Sequence, residues 1–441
     1  MREMKDSGIE WIGEIPKDWE IIKNKYLLND LYSGGTPTSS NETFYDNDGT
    51  PFVSISDMSS SEYIYETKKG LSQKGIDDKN LRVLDKGTIL YSIYATIGAV
   101  SELRINATIS QAMLALDING KVYKPFYKYS LKAMRDYIYF TANGNTQFNL
   151  NASKVINFYL VIPSLSEQQR IADFLDAKCA EIDNVINKSK NSIEEYKKLK
   201  QSVITQAVTK GIRPNRLMKD SGIEWIGEIP AEWETVKLGN IFSFLGGYAY
   251  NSEQFVDNNL NQVIRIGNVK NYHLNLEKSP VYINGETAKL TEKFRIKKNY
   301  ILFTMTGTKG KRDYFFTYMV KENDIEDINL FLNQRVGCLI SRESVCPCYY
   351  DYLLKTDRIL DSIFLYETGT ANQGNLGIET IRRTKLQYPT LSEQQEIADY
   401  LDEKCSAIDE LIAKKEQFIV EMENYKKSLI YEYVTGKKEV Q

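Results

Sequence analysis

A chain of 441 residues is long enough for about three domains, and its 42% hydrophobic fraction supplies material for real cores, which excludes a disordered chain. Five cysteines in so long a chain do not make a disulfide framework, and no apolar run reaches the roughly 18 residues of a membrane span. A formal charge of −3 excludes a protein that holds nucleic acid by bulk basicity and leaves only local basic surfaces. The polar, acidic start, Met1-Arg2-Glu3-Met4-Lys5-Asp6, is unlike a signal peptide, so the expected compartment is the cytoplasm, with no membrane partner.

The order of elements is set by a duplication. Met4 to Pro16 recurs unchanged as Met218 to Pro230, an offset of 214, and Trp19-Glu20 recurs as Trp233-Glu234. Leu165-Ser166-Glu167-Gln168-Gln169 recurs as Leu391 to Gln395, and the match runs on without a gap at an offset of 226 through Asp176/Asp402, Cys179/Cys405, Asp183/Asp409 and Val208-Thr209/Val434-Thr435. Periods this long exclude solenoids and propellers and predict two pseudo-symmetric halves. The predicted segments are 1–16, a repeated N-terminal segment; 17–162, a first unlike domain; 163–230, a long helix and the second copy of the N-terminal segment; 231–388, a second unlike domain; and 389–441, a second long helix.

Residues 17–162 read as short strands, turns and a little helix. A Gly-rich loop follows a first helix-like stretch, Val53-Ser54-Ile55-Ser56 alternates as a strand, Gly87 to Tyr94 is rich in β-formers, and 125–139 reads as helix, an α+β pattern. After Ile162-Pro163, Ser166 with Gln169 at N3 predicts a capping box, repeated by Ser392 and Gln395. Downstream, Ile171, Leu175, Ile182, Ile186, Ile193, Tyr196, Val203 and Ala207 recur at spacings of three, four and seven, and Ile397, Leu401, Ile408, Ile412, Ile419, Met422, Leu429 and Tyr433 repeat them. With Gly211 and Gly436 as stops, each helix has on the order of 40 residues and spans roughly 60 Å. The two helices are expected to pair as an antiparallel coiled coil; the alternative is that each packs only on its own domain. In residues 231–388, Tyr300 to Met305 is the counterpart strand and 348–363 the counterpart helix.

Charge follows the same division. Residues 17–162 hold 16 basic against 15 acidic residues and 231–388 hold 20 against 18, so the unlike domains lean basic while the repeated scaffold is acidic. Much catalytic chemistry is missing. His273 is the only histidine, no nucleophile elbow meets it, and Cys346-Pro347-Cys348 lacks zinc-ligand spacing, so no metal site is expected and Cys179 and Cys405 read as small apolar residues. Gly310-Lys311 is followed by Arg312 and preceded five positions earlier by Met305, so there is no P-loop, and no dinucleotide fingerprint follows a strand. The chain is expected to catalyse nothing and to bind no cofactor.

Recognition chemistry remains, similarly placed in both unlike domains. Gly34, Gly35, Thr36, Thr38 and Ser39 form a Gly-rich polar loop, matched by Gly246, Gly247 and Tyr248; such glycines admit a phosphate or simply make a tight turn. Thr96 follows one matched strand, and Thr308, Lys309, Lys311 and Arg312 follow the other, where cations beside glycines suit a DNA backbone as well as an exposed hairpin tip. Gln111, Asn145, Gln147 and Asn149 in the first half, and Gln334, Arg335, Asn372, Gln373 and Asn375 in the second, are candidate base readers, since Asn and Gln pair with adenine edges and Arg with guanine. The competing reading is that Asn-rich loops satisfy their own backbone.

With these residues in place, the chain resembles the specificity subunit of a type I restriction-modification enzyme over nearly its whole length. The resemblance rests on Gly8 to Pro16 and Gly222 to Pro230, Pro163 to Ala172 and Pro389 to Ala398, the Gly-Gly-Thr-Pro loop at Gly34 to Pro37, and Ser202 to Thr209 echoed by Ser428 to Thr435. The second half departs from the pattern in lacking Thr-Pro after Gly246-Gly247. The resemblance implies two pseudo-symmetric target recognition domains that each read half of a split, asymmetric site in double-stranded DNA, joined by helices that set the spacing and dock two DNA methyltransferase subunits. It implies further that those subunits bind S-adenosylmethionine and methylate adenine N6, and that a restriction endonuclease subunit uses ATP and Mg. Two other classes have stated discriminators: a coiled-coil adaptor shows no salt-dependent duplex binding, and a hidden hydrolase needs an acidic metal cluster near the cationic loops, for which Asp313 is a lone candidate.

Overall fold

The computed structural model describes residues 2–58, 62–135, 137, 138, 150–370 and 372–440. The chain divides into two compact units, 1–190 with 416–441, and 191–415, so each unit takes part of both long helices.

In the first unit the repeated N-terminal block is a hairpin, Met4–Asp6 against Glu14–Pro16, whose apolar residues Ile12 and Ile15 are buried. Glu20–Lys23 pairs antiparallel with Tyr159–Ile162, so the domain is closed by its own first and last strands. Between them lies a five-stranded sheet in the order Leu28–Ser33, Met113–Ile118, Ile89–Ser92, Val100–Leu103, Tyr63–Ile64, antiparallel except for the last pair. A three-stranded sheet sets Tyr45–Val53 between Thr108–Ile109, parallel, and Lys69–Leu71, antiparallel. Val53, Leu90, Ile109 and Met113 share one core.

The second unit repeats this plan with different residues. A hairpin of Met218–Asp220 and Glu228–Pro230 precedes Glu234–Lys237, which pairs antiparallel with Lys385–Tyr388. The main sheet runs Phe242–Gly246, Val336–Ser341, Ile301–Thr304, Thr317–Met319, all antiparallel, and a second sheet again contains one parallel pair, Asn261–Ile264 with Asn329–Leu332. The order and sense of these four strands match the first four of the first unit's main sheet, while the parallel edge strand Tyr63–Ile64 has no counterpart here and the second sheet has four strands instead of three.

Some local expectations need correction. Val53 ends a strand, but Ile55–Met58 is a turn of helix, because Asp57 accepts hydrogen bonds from the Ser54 amide (2.8 Å) and hydroxyl (2.7 Å) and pulls the chain out of extension. The Gly-rich loop follows a strand, Leu28–Ser33; the helix-like stretch before it is a single 3-10 turn, Asn24–Tyr26. The helix expected over 348–363 is two, Pro347–Leu353 and Asp357–Phe364.

The long helices run from Leu165 to Lys210 and from Leu391 to Val434, and Gly211 and Gly436 follow with φ of +74° and +71°, conformations that favour glycine. Their N-caps are Ser164 and Thr390 rather than Ser166 and Ser392: the Ser164 and Thr390 hydroxyls accept the Glu167 and Glu393 amides (both 3.4 Å). The proline before each cap stops the helix from extending backward, so the cap falls directly after it. At the C-terminal end of the first helix, the Val208 carbonyl accepts from Gln387 Nε2 (2.8 Å) and Tyr349 OH (2.9 Å), which satisfies an acceptor that the helix itself leaves open.

Within each unit the helices pair antiparallel. In the first unit the Phe174 and Tyr433 rings lie 4.5 Å apart and Lys426 meets Asp183 at 2.7 Å; in the second Lys200 meets Asp409 at 2.6 Å and Arg213 meets Glu396 at 2.8 Å. The pairs Asp183–Lys426 and Asp409–Lys200 are one contact made twice with the helices exchanging roles, since both partners shift by 226. Of the predicted seam, Ile171, Leu175, Ile182, Ile186, Ile193, Ile397, Leu401, Ile408 and Ile419 are buried and Ile412 is half-buried. Toward the first helix's end the buried stripe moves from Val203 to Ile204, because Ile204, Ala207 and Val208 join Trp233, Leu386 and Ile397 in the domain core. That end serves helix partner and domain together.

Candidate nucleic-acid interface

In both units the glycine loop meets one of the predicted base-reading turns, far from it in sequence: Gln111 in the first and Gln334–Arg335 in the second. At the end of Leu28–Ser33 the Gly34 amide donates to Met113 O (3.2 Å) and the Gly35 amide to Ile109 O (3.1 Å), while Gln111 donates its amide to Thr36 Oγ1 (3.3 Å). A Cβ on Gly34 would lie 2.3 Å from Ser110 O, so the glycine is required by the chain's own backbone rather than by open space for a phosphate. Thr38 and Ser39 are exposed farther along the same loop, which Tyr45 steadies through its hydroxyl to Pro37 O (2.9 Å).

The second unit makes the same junction without Thr-Pro. A Cβ on Gly247 would lie 2.0 Å from Asn333 O, the Tyr248 amide donates to Leu332 O (2.9 Å), and the Gln334 amide donates to Tyr248 O (2.9 Å). Gln111 in one domain, and Gln334 and Arg335 in the other, are exposed side chains on turns whose backbones are held from both sides. This is pre-organisation of the kind a reading surface needs.

The cationic loop of the second unit is joined to a second candidate segment. Thr306–Gly307 pairs with Gln373–Asn375, which pairs in turn with Thr368–Thr370, so Thr308, Lys309, Lys311 and Arg312 stand beside Asn372, Gln373 and Asn375 on one small sheet. Not all of these groups are equally available. Arg312 is ion-paired with Asp361, Lys309 Nζ donates to Gly369 O (3.3 Å), and Thr308 donates its hydroxyl to Asp313 (2.6 Å). The Thr308 hydroxyl and backbone amide (2.8 Å) hold the Asp313 carboxyl below its usual range and commit it to closing the loop. Lys311, Asn372, Gln373 and Asn375 present exposed side chains. In the first unit, Thr96 lies on the wall of a cavity of about 1030 Å3 shared with Lys132, Arg135 and Trp11. Asn145, Gln147 and Asn149 lie outside the described residues.

Two features escaped the sequence reading. The first is a clamp at each helix start. Glu167 accepts from Trp19 Nε1 (3.1 Å) and pairs with Arg2 (2.6 Å), which also holds Asp18; Glu393 accepts from Trp233 Nε1 (2.9 Å) and pairs with Arg216, which also holds Glu232. Alongside, Gln168 accepts from the Tyr123 amide (2.7 Å) and Gln394 from the Cys346 amide (2.8 Å), so the Glu-Gln of each repeated block fixes its helix to its domain. The signal was present as Glu and Gln in identical blocks, but the partners are 45 to 177 residues away. The second feature is a pair of cations, Arg265 and Lys278, beside Gln334 and Arg335. They carry no motif.

The thiols fit packing roles: Cys179, Cys338, Cys346 and Cys405 are buried and Cys348 is half-buried, and desolvation raises the pKa of all five above that of an ordinary thiol. Among the described residues no helix is long and apolar enough to cross a membrane.

The model of the type I restriction modification DNA specificity domain matches residues 16–195 and 230–420, one copy in each half. The chain is 24% identical over 441 residues to the type I restriction enzyme MjaVIII specificity subunit of Methanocaldococcus jannaschii, covering 96% of this chain and 93% of that one. It is 26% identical over 242 residues to the MjaIX specificity subunit of the same organism, a match that spans about half of each chain, 54%. Among solved structures, a chain from work on complex assembly and conformational transition of the type I R-M system superposes with a TM-score of 0.68 at 13% identity, covering 96% of this chain and 99% of that one. The HsdS subunit from Thermoanaerobacter tengcongensis does so with a TM-score of 0.50 at 13% identity, covering 98% and 100%.

Proposed function

This chain belongs to the type I restriction-modification DNA specificity family, and from that premise we propose how it divides its work. It is the DNA-recognition component of a restriction-modification complex and contributes address rather than reaction. Each recognition domain reads one half of a bipartite, asymmetric site in double-stranded DNA, and the paired helices set the gap between the halves. Two DNA methyltransferase subunits dock on the helical scaffold, and restriction endonuclease subunits complete the assembly in the cytoplasm. S-adenosylmethionine is held by the methyltransferases, and ATP and Mg by the endonuclease.

One observation carries this reading: the same junction is built twice, with different side chains displayed on it. Gly34 and Gly247 each lie against the turn that carries Gln111 or Gln334–Arg335, so the fold is duplicated while the reading groups differ. Two unlike half-sites follow from that arrangement. The remaining groups placed on the DNA are Gly35, Thr36, Thr38, Ser39 and Thr96 in the first domain, with Asn145, Gln147 and Asn149, and Tyr248, Thr308, Lys309, Lys311, Arg312, Asn372, Gln373 and Asn375 in the second. Lys311 acts on phosphate, and the amides act on base edges.

The test is methylation-sensitive sequencing of DNA from a methylation-free bacterial host that expresses a cognate methyltransferase subunit with and without this chain. A new two-part N6-methyladenine motif with a fixed gap, dependent on the chain, is expected. A stable complex that leaves no motif would favour a purely structural adaptor and overturn the reading.

A further inference from the structure

The second recognition domain contains a hollow of about 390 Å3 whose lining, among the described residues, includes Arg265, Lys278 and Arg335 and no carboxylate. In a chain with more acidic than basic residues, three cations lining one concavity make a local positive potential that suits an anion. The arrangement is built rather than accidental. Asn268, 1% exposed, accepts the Arg265 amide on Oδ1 (2.8 Å) and donates from Nδ2 to Asn275 O (2.9 Å) and Lys278 O (3.0 Å), so one buried amide positions both cationic walls. Arg265, which lines the hollow, is further fixed by Nη2 donating to Ser279 O (2.8 Å).

Arg335 lines the same hollow and differs in kind. Its backbone is held where its carbonyl accepts the Met305 amide (3.1 Å) and the next residue, Val336, donates to Asn333 O (2.8 Å), while its side chain is exposed beside Gln334. A guanidinium fork on a rigid turn matches the O6 and N7 acceptors of guanine, whereas a half-immobilised Arg265 and a point-charge Lys278 suit phosphate oxygens.

Resting on the DNA-recognition reading above, we propose that this hollow is the specificity subsite of the second domain: Arg335 reads one guanine in the major groove of its half-site, and Arg265 and Lys278 hold the phosphate of the same stretch of strand. Asn268 is a positioning residue for that phosphate grip.

The experiment uses the complex of this chain with its methyltransferase subunits. Its methylated motif is sequenced, and binding is measured to duplexes that vary each position of the second half-site at several salt concentrations. With the wild-type chain, one position of that half-site is expected to demand a G·C pair. Arg335→Ala and Arg335→Lys are both expected to lower discrimination at that position by about tenfold to a hundredfold, with the first half-site read unchanged. Arg265→Ala with Lys278→Ala is expected to weaken all sequences alike and to reduce the slope of log affinity against log salt by up to about two.

A second half-site without a fixed G·C pair overturns the assignment. So does full discrimination in Arg335→Lys, or a loss in Arg335→Ala that is uniform over all second half-sites, which would make Arg335 a phosphate contact. In each of these cases the first half-site is still read, so DNA recognition stands while the subsite falls. Absence of any motif with the wild-type chain instead removes the reading on which the proposal rests.

Discussion

Replacing Glu393 by Ala and, separately, Glu167 by Ala makes the same chemical change at two copies of one clamp, and the structure predicts unequal costs. Each substitution leaves a buried indole N–H without its acceptor, Trp233 or Trp19, and that cost is similar in both and cancels in the comparison. The guanidinium does not cancel. Arg216 is 7% exposed and its partner Glu393 5%, so its remaining charge stays in a poorly hydrated site; Arg2 is 25% exposed and can recover water. Breaking a buried ion pair typically costs about 3–5 kcal/mol, and a more exposed pair costs less as water replaces the lost partner. The expected difference is about 1–2 kcal/mol, with Glu393→Ala the worse. Native-state hydrogen exchange on the whole chain reads each site separately, through amides in the first turns of each long helix: about 1.4 kcal/mol appears as a tenfold change in opening. Equal acceleration at the two helix starts, or a larger one in Glu167→Ala, would refute burial as the quantity that sets the cost.

Other perturbations test other parts of the scaffold. Reversing one charge of the cross-helix pair, Asp183→Lys, is expected to cost no more than about 1 kcal/mol because both partners are substantially hydrated, and adding Lys426→Asp is expected to restore the loss; thermal melting of the four combinations gives the coupling directly, and no recovery in the double variant would count against the pairing. Glu62 titrates under opposed influences: burial raises its pKa, but the ammonium groups of Lys132 and Lys128 more than offset this and hold it below the ordinary 4.5. A carboxyl with a depressed folded pKa contributes stability that is present above the unfolded pKa and is lost as pH falls through the folded value. Glu62→Gln is therefore expected to be less stable than wild type near neutrality and to lose less on acidification below about pH 4.5, followed by circular dichroism; parallel acid curves would contradict the sign.

How much of this was legible follows from the range of each interaction. The duplication, the helix stops at Gly211 and Gly436 and most of the apolar seam are local or periodic signals, and they can be read because helix geometry repeats every few residues. Ser166 misled because a capping box can be written at two neighbouring positions, and only the placement of Pro163 decides between them. Gly34 and Gly247 were visible as glycines, but the reason for them was not: their close neighbours, Ser110 and Asn333, are more than 70 residues away and reach them through sheet topology. Arg265 and Lys278 belong to no pattern at all and acquire meaning only when Asn268 ties their backbones together at a hollow that Arg335 also lines. The candidate bases of a half-site are thus harder to read than the scaffold that displays them.

If the helices are the ruler between the half-sites, lengthening them has a consequence that distance alone does not capture. One heptad added to both, between Lys190 and Tyr196 and at the matching Glu416 to Met422, adds about 10 Å, close to three base pairs. Three base pairs also turn B-DNA by about 100°, while a left-handed helix pair of roughly 150 Å pitch turns about 25° the other way, so the second domain would meet the wrong side of the duplex. Three heptads add about 31 Å, for which the combined rotation comes to within about 40° of a full turn. The one-heptad chain is therefore expected to methylate weakly. The three-heptad chain is expected to recover, with both half-sites unchanged and the unread gap longer by about nine base pairs. Sequencing of methylated DNA from cells carrying each chain decides the matter: a gap that stays fixed removes the helices as the ruler, and equal efficiency for one and three heptads means the domains turn freely on them.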